Sequence, residues 1–243
     1  MVECRVEPSD LNLSIIIPIL REPDLARRLA PLLEQAGPDT EIIVVDGSAD
    51  GDSLHGLSEL RIQTLISPQT GRGQQLRTGA DVAKGEILLF LHADTRLPKQ
   101  ALQQIGELLF RHPELAGGAF DLGIDAPQPI FRLIETVSSW RSRLTRLPYG
   151  DQALFLRKHV YQAIGGFPNL PLMEDVGIGQ RLKRQGFKLG FLPLRVKTSA
   201  RRWQAEGVLR CTLRNWLILG LYLAGVAPDK LSALYRRADK TSL

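Results

Sequence analysis

The segment FLHADTRLP, Phe90 to Pro98, ends an apolar run by releasing a histidine and an aspartate together, His92 and Asp94. Two readings fit. One is a divalent-metal site, since magnesium and manganese favour oxygen ligands and imidazole suits the softer ions. The other is a polar turn, with Asp94 in an Asx turn ahead of Pro98 and His92 satisfied beside it. GRGQQLRTGA sets two glycines around Arg72 at the start of a helical pattern. Free helix amides and a guanidinium both suit phosphate there. The segment has neither the Lys-Ser of a P-loop nor GxGxxG, so a Rossmann dinucleotide site is not indicated. VVDGSADG puts Asp46, Gly47 and Ser48 at the end of a second apolar run, and MEDVGIGQRL puts Glu174 and Asp175 where acids suit a helix N-terminus.

The elements that must position these residues alternate. LSIIIPIL, EIIVVDGS, RIQTLIS and EILLFLHAD read as strands. Between them lie the helical patterns DLARRLAPLLEQAG, a weaker one near Asp52 to Leu57, and GRGQQLRTGADVAKG; PKQALQQIGELLFRH follows the fourth strand. That order implies parallel βαβ units, and continuous apolar strands imply a sheet covered on both faces. Right-handed crossovers then bring the strands' C-terminal ends, with DGS and HAD, to one edge, where open α/β sheets bind ligands. The second half is less regular. LAGGAFDLGI reads as a strand with close backbone approach at Gly117 and Gly118. PIFRLIETVSSWRSRLTRL reads as a helix burying a stripe of Ile130, Leu133, Ile134, Val137 and Trp140. GDQALFLRK and FKLGFLPLRVKTS read as strands, with the MEDVGIGQRLKRQG helix between them.

The 243 residues are 44% hydrophobic and 23% charged, a globular composition. The two cysteines, Cys4 and Cys211, form no metal-binding or disulfide pattern, which suits a reducing compartment. MVECRVEPSD lacks an apolar core, so a signal peptide is not expected and a cytoplasmic location is. From Arg195 onward ten Lys/Arg face three Asp/Glu, a net charge of +7, which leaves about −2 for the rest. In that basic region WLILGLYLAGVA, Trp216 to Ala227, is too short for a bilayer span of ~20 residues. A buried helix is the preferred reading, and a helix lying on an anionic membrane is the other.

The ordered set PILRE, VVDGSADG, GRGQQLRTGA, LHADT, GGFP and MEDVGIGQRL resembles the family 2 glycosyltransferases. YGDQ, LMED and TSARRW resemble a bacterial subgroup associated with radical SAM and selenodomain proteins. The resemblance covers Leu13 to Trp203. It implies a GT-A fold, with a mostly parallel α/β sheet sandwiched by helices. Residues 1–12 would then be a tail, 13–203 the domain, and 204–243 a helical extension packed on it. It also implies an inverting transfer from a nucleoside-diphosphate sugar donor, with Mn or Mg. Asp175 matches the family's base, with Glu174 orienting sugar or acceptor. Asp94 is the retained acid of the metal-binding triplet, and His92 stands where its first acid would be. Glu22 and Asp46 would accept hydrogen bonds from base and ribose, beside Gly47 and Ser48. Capping of the first helix is the other reading of Glu22. Asp151 and Gln152 would touch sugar hydroxyls, and Arg72, Arg201 and Arg202 the diphosphate. The acceptor would be a small or lipid-linked hydroxyl compound.

Two rival classes fare worse. A sugar-phosphate nucleotidyltransferase would need a glycine-rich loop after the first strand, and PILREPDLA has none. A nucleic-acid-binding protein fits the sequence pI of about 9.4, but aromatic content is only 6% and no RNA- or DNA-binding signature is present. No specific nucleic-acid partner is expected.

Overall fold

The structure is a computed structural model that describes residues 12–22, 24–54, 56–57 and 61–240, with side chains except at 52 and 236–240. The expected tail therefore falls, apart from residue 12, outside the described residues. β1 (Leu13–Ile19), β2 (Thr40–Asp46), β3 (Ile62–Ile66) and β4 (Ile87–Phe90) run parallel in the spatial order β3-β2-β1-β4. α1 (Leu25–Gln35), α2 (Arg72–Val82) and α3 (Ala101–Arg111) connect or follow them. β1 is buried along its whole length because both faces are covered. Ile15, Ile17, Val44 and Leu89 meet α1 and α3, while Ile16, Ile43, Val45 and Leu88 meet Leu76 and Ala80 of α2 on the other side. Ile19 pairs with Asp46 and Ile16 with Phe90, so the C-terminal ends of β1, β2 and β4 share one edge.

The second half completes an eight-stranded mixed sheet. β5 (Thr95–Arg96), β6 (Leu115–Asp125), β7 (Phe155–Arg157) and β8 (Lys188–Ser199) extend the order as β4-β7-β6-β8-β5. β7 is antiparallel to both β4 and β6, and β6 is parallel to β8. The close approach expected at Gly117 and Gly118 is present: a Cβ there would collide with the Phe155 and Gly190 carbonyl oxygens. The remaining helices are α4 (Pro129–Thr145), α5 (Lys158–Ala163), α6 (Glu174–Arg184), α7 (Arg201–Glu206), α8 (Val208–Leu223) and α9 (Pro228–Lys240).

Several expectations need correction. The weak helix near Asp52 is a short 3-10 turn, Asp52–Leu54. GDQ is likewise a 3-10 turn, Gly150–Gln152, and only Phe155–Arg157 of that segment is strand. β4 stops at Phe90, before HAD.

The largest correction concerns α4. Its apolar stripe faces outward: Ile130, Leu133, Val137, Trp140 and Leu144 are exposed, while Phe131, Glu135, Ser139 and Ser142 are buried. Beyond its short pairing with β7, β6 has backbone groups that need partners. Ile124 N–H donates to Glu135 Oε1 at 2.6 Å, and Leu122 N–H to Ser139 Oγ at 3.0 Å. Leaving those amides unpaired would cost more than exposing aliphatic side chains, so the polar face turns in.

The C-terminal apolar segment is also not a buried helix. In α8 only Cys211 and Ile218 are buried, and Leu209, Leu213, Trp216, Leu217 and Leu223 are exposed. α7 and the start of α8 pack on α4 through Trp203 and Val208 against Phe131 and Ile134.

Candidate active site

α2 and α6 meet at their N-termini on the ligand-binding edge, and Glu174 joins them. Its carboxylate, almost fully buried, accepts from Arg72 Nε in an ion pair between the helices. Burial lowers the pKa of the Arg72 guanidinium, but Glu174 and then Asp175 outweigh it, and the net shift is upward. The buried charge of Glu174 is tolerated only with such a partner. Asp175 follows on the first turn of α6. Its Oδ2 accepts from Gly150 N–H at 2.9 Å and its Oδ1 from Val176 N–H at 2.8 Å.

His92 sits between these groups. A Cβ built on Gly150 would lie 2.7 Å from His92 Nε2 and 3.5 Å from Asp175 Oδ2, so only glycine lets the turn approach both. Burial, followed by the charges of Arg72 and Arg202, holds the His92 pKa well below its ordinary 6.5, and the ring is neutral at neutral pH. His92, Gly150, Glu174 and Asp175 line a cavity of about 10 Å³, backed by Phe90 and Phe167. That is room for one water-sized group, so it is a floor of the site and not a donor's bed.

The turn beyond Gly150 contributes Asp151, whose Oδ1 is buried without a hydrogen-bond partner. Burial and then repulsion from Asp175 raise its pKa to about 6, against the pull of Arg141 and Arg72. Gln152 does not act as predicted. It is fully buried, its Oε1 accepts from Ser142 Oγ and Tyr149 N–H, and its Nε2 donates to the Phe120 carbonyl at 3.0 Å. With Oε1 and one Nε2 hydrogen used inside the fold and no exposed surface, Gln152 fixes the turn. Sequence reasoning missed Arg141, whose guanidinium stacks 3.3 Å from the Tyr149 ring centroid and whose charge reaches Asp151 and Asp175. No spacing signal marks it, because the turn that follows α4 folds Tyr149 and Asp151 back towards it.

Asp46 ends β2, fully buried. Its Oδ1 accepts from Ser48 N–H at 2.8 Å, while its Oδ2 and Ser48 Oγ have no partner. Buried polar atoms are ordinarily hydrogen-bonded, so these two oxygens call for a partner outside the protein's own groups. Gly47 forms the turn, held by its N–H on the Ile19 carbonyl at 2.9 Å and by the close packing of Gln75 of α2. Glu22 does not cap α1, whose N-cap position is Asp24 without a side-chain bond. It pairs instead with Arg28 at 2.7 Å and Arg201 at 3.5 Å. Arg202 donates to Tyr235 Oη and lies over its ring, so α9 also reaches this edge.

Among the described residues no three ligating side chains converge as a metal cage. Asp94, half-buried beyond β4, suits an ion that takes one carboxylate and completes its shell from donor phosphates and water, as magnesium does. His92 suits such an ion less, with Nε2 close to Gly150 and two arginines nearby.

Comparison with known proteins agrees with this architecture. The profile described as Glycosyl transferase family 2 matches residues 14–167. Among solved structures, S. aureus TarS 1-349 superposes with a TM-score of 0.62 at 16% identity, over 91% of this chain and 68% of that one. A structure of S. aureus TarS gives 0.61 at 17% identity, over 78% and 37%. The complex of TarS 1-349 with UDP-GlcNAc gives 0.61 at 18%, over 78% and 58%. At these identities the likeness is one of fold.

Proposed function

The chain belongs to glycosyl transferase family 2, and on that footing we propose an inverting nucleotide-sugar glycosyltransferase whose acceptor is deprotonated by Asp175. The observation that supports this reading is the Arg72–Glu174–Asp175 junction, where the N-terminal end of α2, a position suited to phosphate, meets carboxylates at one sheet edge. Inversion needs a base and no covalent intermediate. Asp175 takes the proton of the acceptor hydroxyl as the oxygen attacks the anomeric carbon and the bond from sugar to diphosphate breaks. Arg72, with Arg201 and Arg202, neutralises the charge that develops on the leaving diphosphate. His92, neutral and near Arg72, would offer the diphosphate a hydrogen bond and no charge. A divalent ion, Mn or Mg, when bound, supplies further neutralisation of the diphosphate, and Asp94 is the residue that would hold it. Asp151, raised towards neutrality, serves the sugar hydroxyls as donor or acceptor.

The base and ribose fit Asp46 and Ser48, whose unpartnered oxygens face no protein donor. The TarS complex carries a uridine nucleotide, which supports a UDP-sugar as donor. Glu22 would then give up Arg201 as the donor enters. YGDQ, LMED and TSARRW support membership of the radical SAM/selenodomain-associated subgroup. The acceptor is a hydroxyl compound, small or lipid-linked. The exposed apolar faces of α4 and α8 support peripheral membrane contact, and no helix among the described residues is long and apolar enough to cross a bilayer.

A thermal-shift screen of nucleotide sugars, with and without manganese, tests the donor site without knowledge of the acceptor. A true donor at 100 times its Kd stabilises by about 2.7 kcal/mol. No shift with any nucleotide sugar would overturn the reading.

A further inference from the structure

Two helices wear their apolar faces outside. On α4, Ile130, Leu133, Val137, Trp140 and Leu144 form a stripe opposite the polar face that Glu135 and Ser139 bury. On α8, Leu209, Leu213, Trp216, Leu217 and Leu223 do the same. Trp140 is 68% exposed and Trp216 60%. Ten large apolar side chains on two helices exceed the scattered exposure of an ordinary surface.

The two helices share neighbours at both ends. α4 and α8 both begin at the cluster of Phe131, Ile134, Trp203 and Val208. Both end against α6: Leu147, just beyond α4, packs on Gly179, and Tyr222 of α8 reaches Gln180 and Gly177. Asp175 lies between them, within electrostatic reach of Arg141 on α4 and Tyr222 on α8.

Charge decides what covers this face. Leu144 borders a groove of about 450 Å³ whose lining includes Arg146, Lys183 and Lys188 and no carboxylate. Arg210 of α8 is exposed as well. Two copies meeting face to face would bring like charges together. An acidic lipid surface answers both features, since apolar side chains and tryptophans enter the interface while lysines and arginines meet the headgroups. We propose that α4 and α8 form a docking face for an anionic bilayer, with the groove of Arg146, Lys183 and Lys188 seating headgroup phosphate. The face holds the Asp175 cavity at the membrane surface, and it is independent of which sugar is transferred.

The test is co-sedimentation of the full chain with vesicles of phosphatidylglycerol and phosphatidylcholine, beside phosphatidylcholine alone. The expected result is pelleting with the anionic vesicles, weakened by salt, and a blue shift of tryptophan emission. Trp140→Glu with Trp216→Glu should reduce partitioning at least tenfold, and Lys183→Glu with Lys188→Glu should weaken it on anionic vesicles. Both pairs lie outside the transfer machinery, so far-UV circular dichroism and the donor-induced thermal shift should be unchanged. That separates failure here from failure of the transferase reading. The proposal is overturned if wild type stays in the supernatant with anionic vesicles, or pellets equally with neutral ones. It is also overturned if sedimentation velocity shows a dimer that the tryptophan variants abolish, which gives the face to a second copy.

Discussion

Replacing Glu135 by alanine should destabilise the protein far more than placing a charge on the hydrophobic side of the same helix. Glu135 is fully buried and accepts from Ile124 N–H at 2.6 Å, while Arg132 and Arg195 pair with it at 2.9 and 3.2 Å. Removing the carboxylate leaves the Ile124 amide without an acceptor, which costs about 1–3 kcal/mol. The two arginines are half-exposed and recover water, so each ion pair adds only about 0–1 kcal/mol. The total is about 1–5 kcal/mol. With a urea slope of about 3 kcal/mol/M, the unfolding midpoint falls by about 0.3–1.7 M. Val137→Asp, on the exposed stripe, should stay within about 0.5 kcal/mol of wild type. Urea titrations followed by circular dichroism would compare them. If Val137→Asp proves the more damaging change, α4 is oriented as hydropathy alone suggests, and the explanation from β6's unpaired amides is wrong.

Other predictions concern the site. Gly150→Ala would push a methyl to 2.7 Å from His92 Nε2, so turnover should drop by about tenfold or more with little loss of thermal stability; unchanged turnover would mean that His92 need not hold its place. Asp151 ionises at about 6 in the folded protein against 3.8 ordinarily, so folding keeps a proton that the unfolded chain releases. Wild-type stability relative to Asp151→Asn should therefore fall as pH rises from about 4 to about 6 and level off above, measured by denaturation in chelator; a difference that grows with pH would contradict it. Asp94→Asn should raise the divalent-ion concentration needed for half-maximal turnover more than His92→Gln does, and the reverse order would exchange their assigned roles.

The first half of the fold was legible because each strand there is covered on both faces, so apolar runs such as Ile15–Ile17 and Ile42–Val45 mark it directly. Asp46, Asp94, Glu174 and Asp175 were legible as candidates because they stand at the ends of those runs or at a helix start. α4 misled because its hydrophobic period is genuine but its partner is a strand edge that needs hydrogen-bond acceptors. α8 misled because an apolar run alone does not show whether protein or something else covers it. Arg141 and the internal use of Gln152 depend on how the Tyr149–Gln152 turn folds back, which no local pattern encodes.

The most direct measurement is the turnover of Asp175→Asn, read as nucleoside-diphosphate release from the donor that stabilises the protein best. The variant should keep the donor-induced thermal shift and lose turnover by about 10²–10⁴-fold, the usual contribution of a positioned base. Turnover within tenfold of wild type, with donor binding intact, would remove Asp175 as the base and with it the proposed transfer.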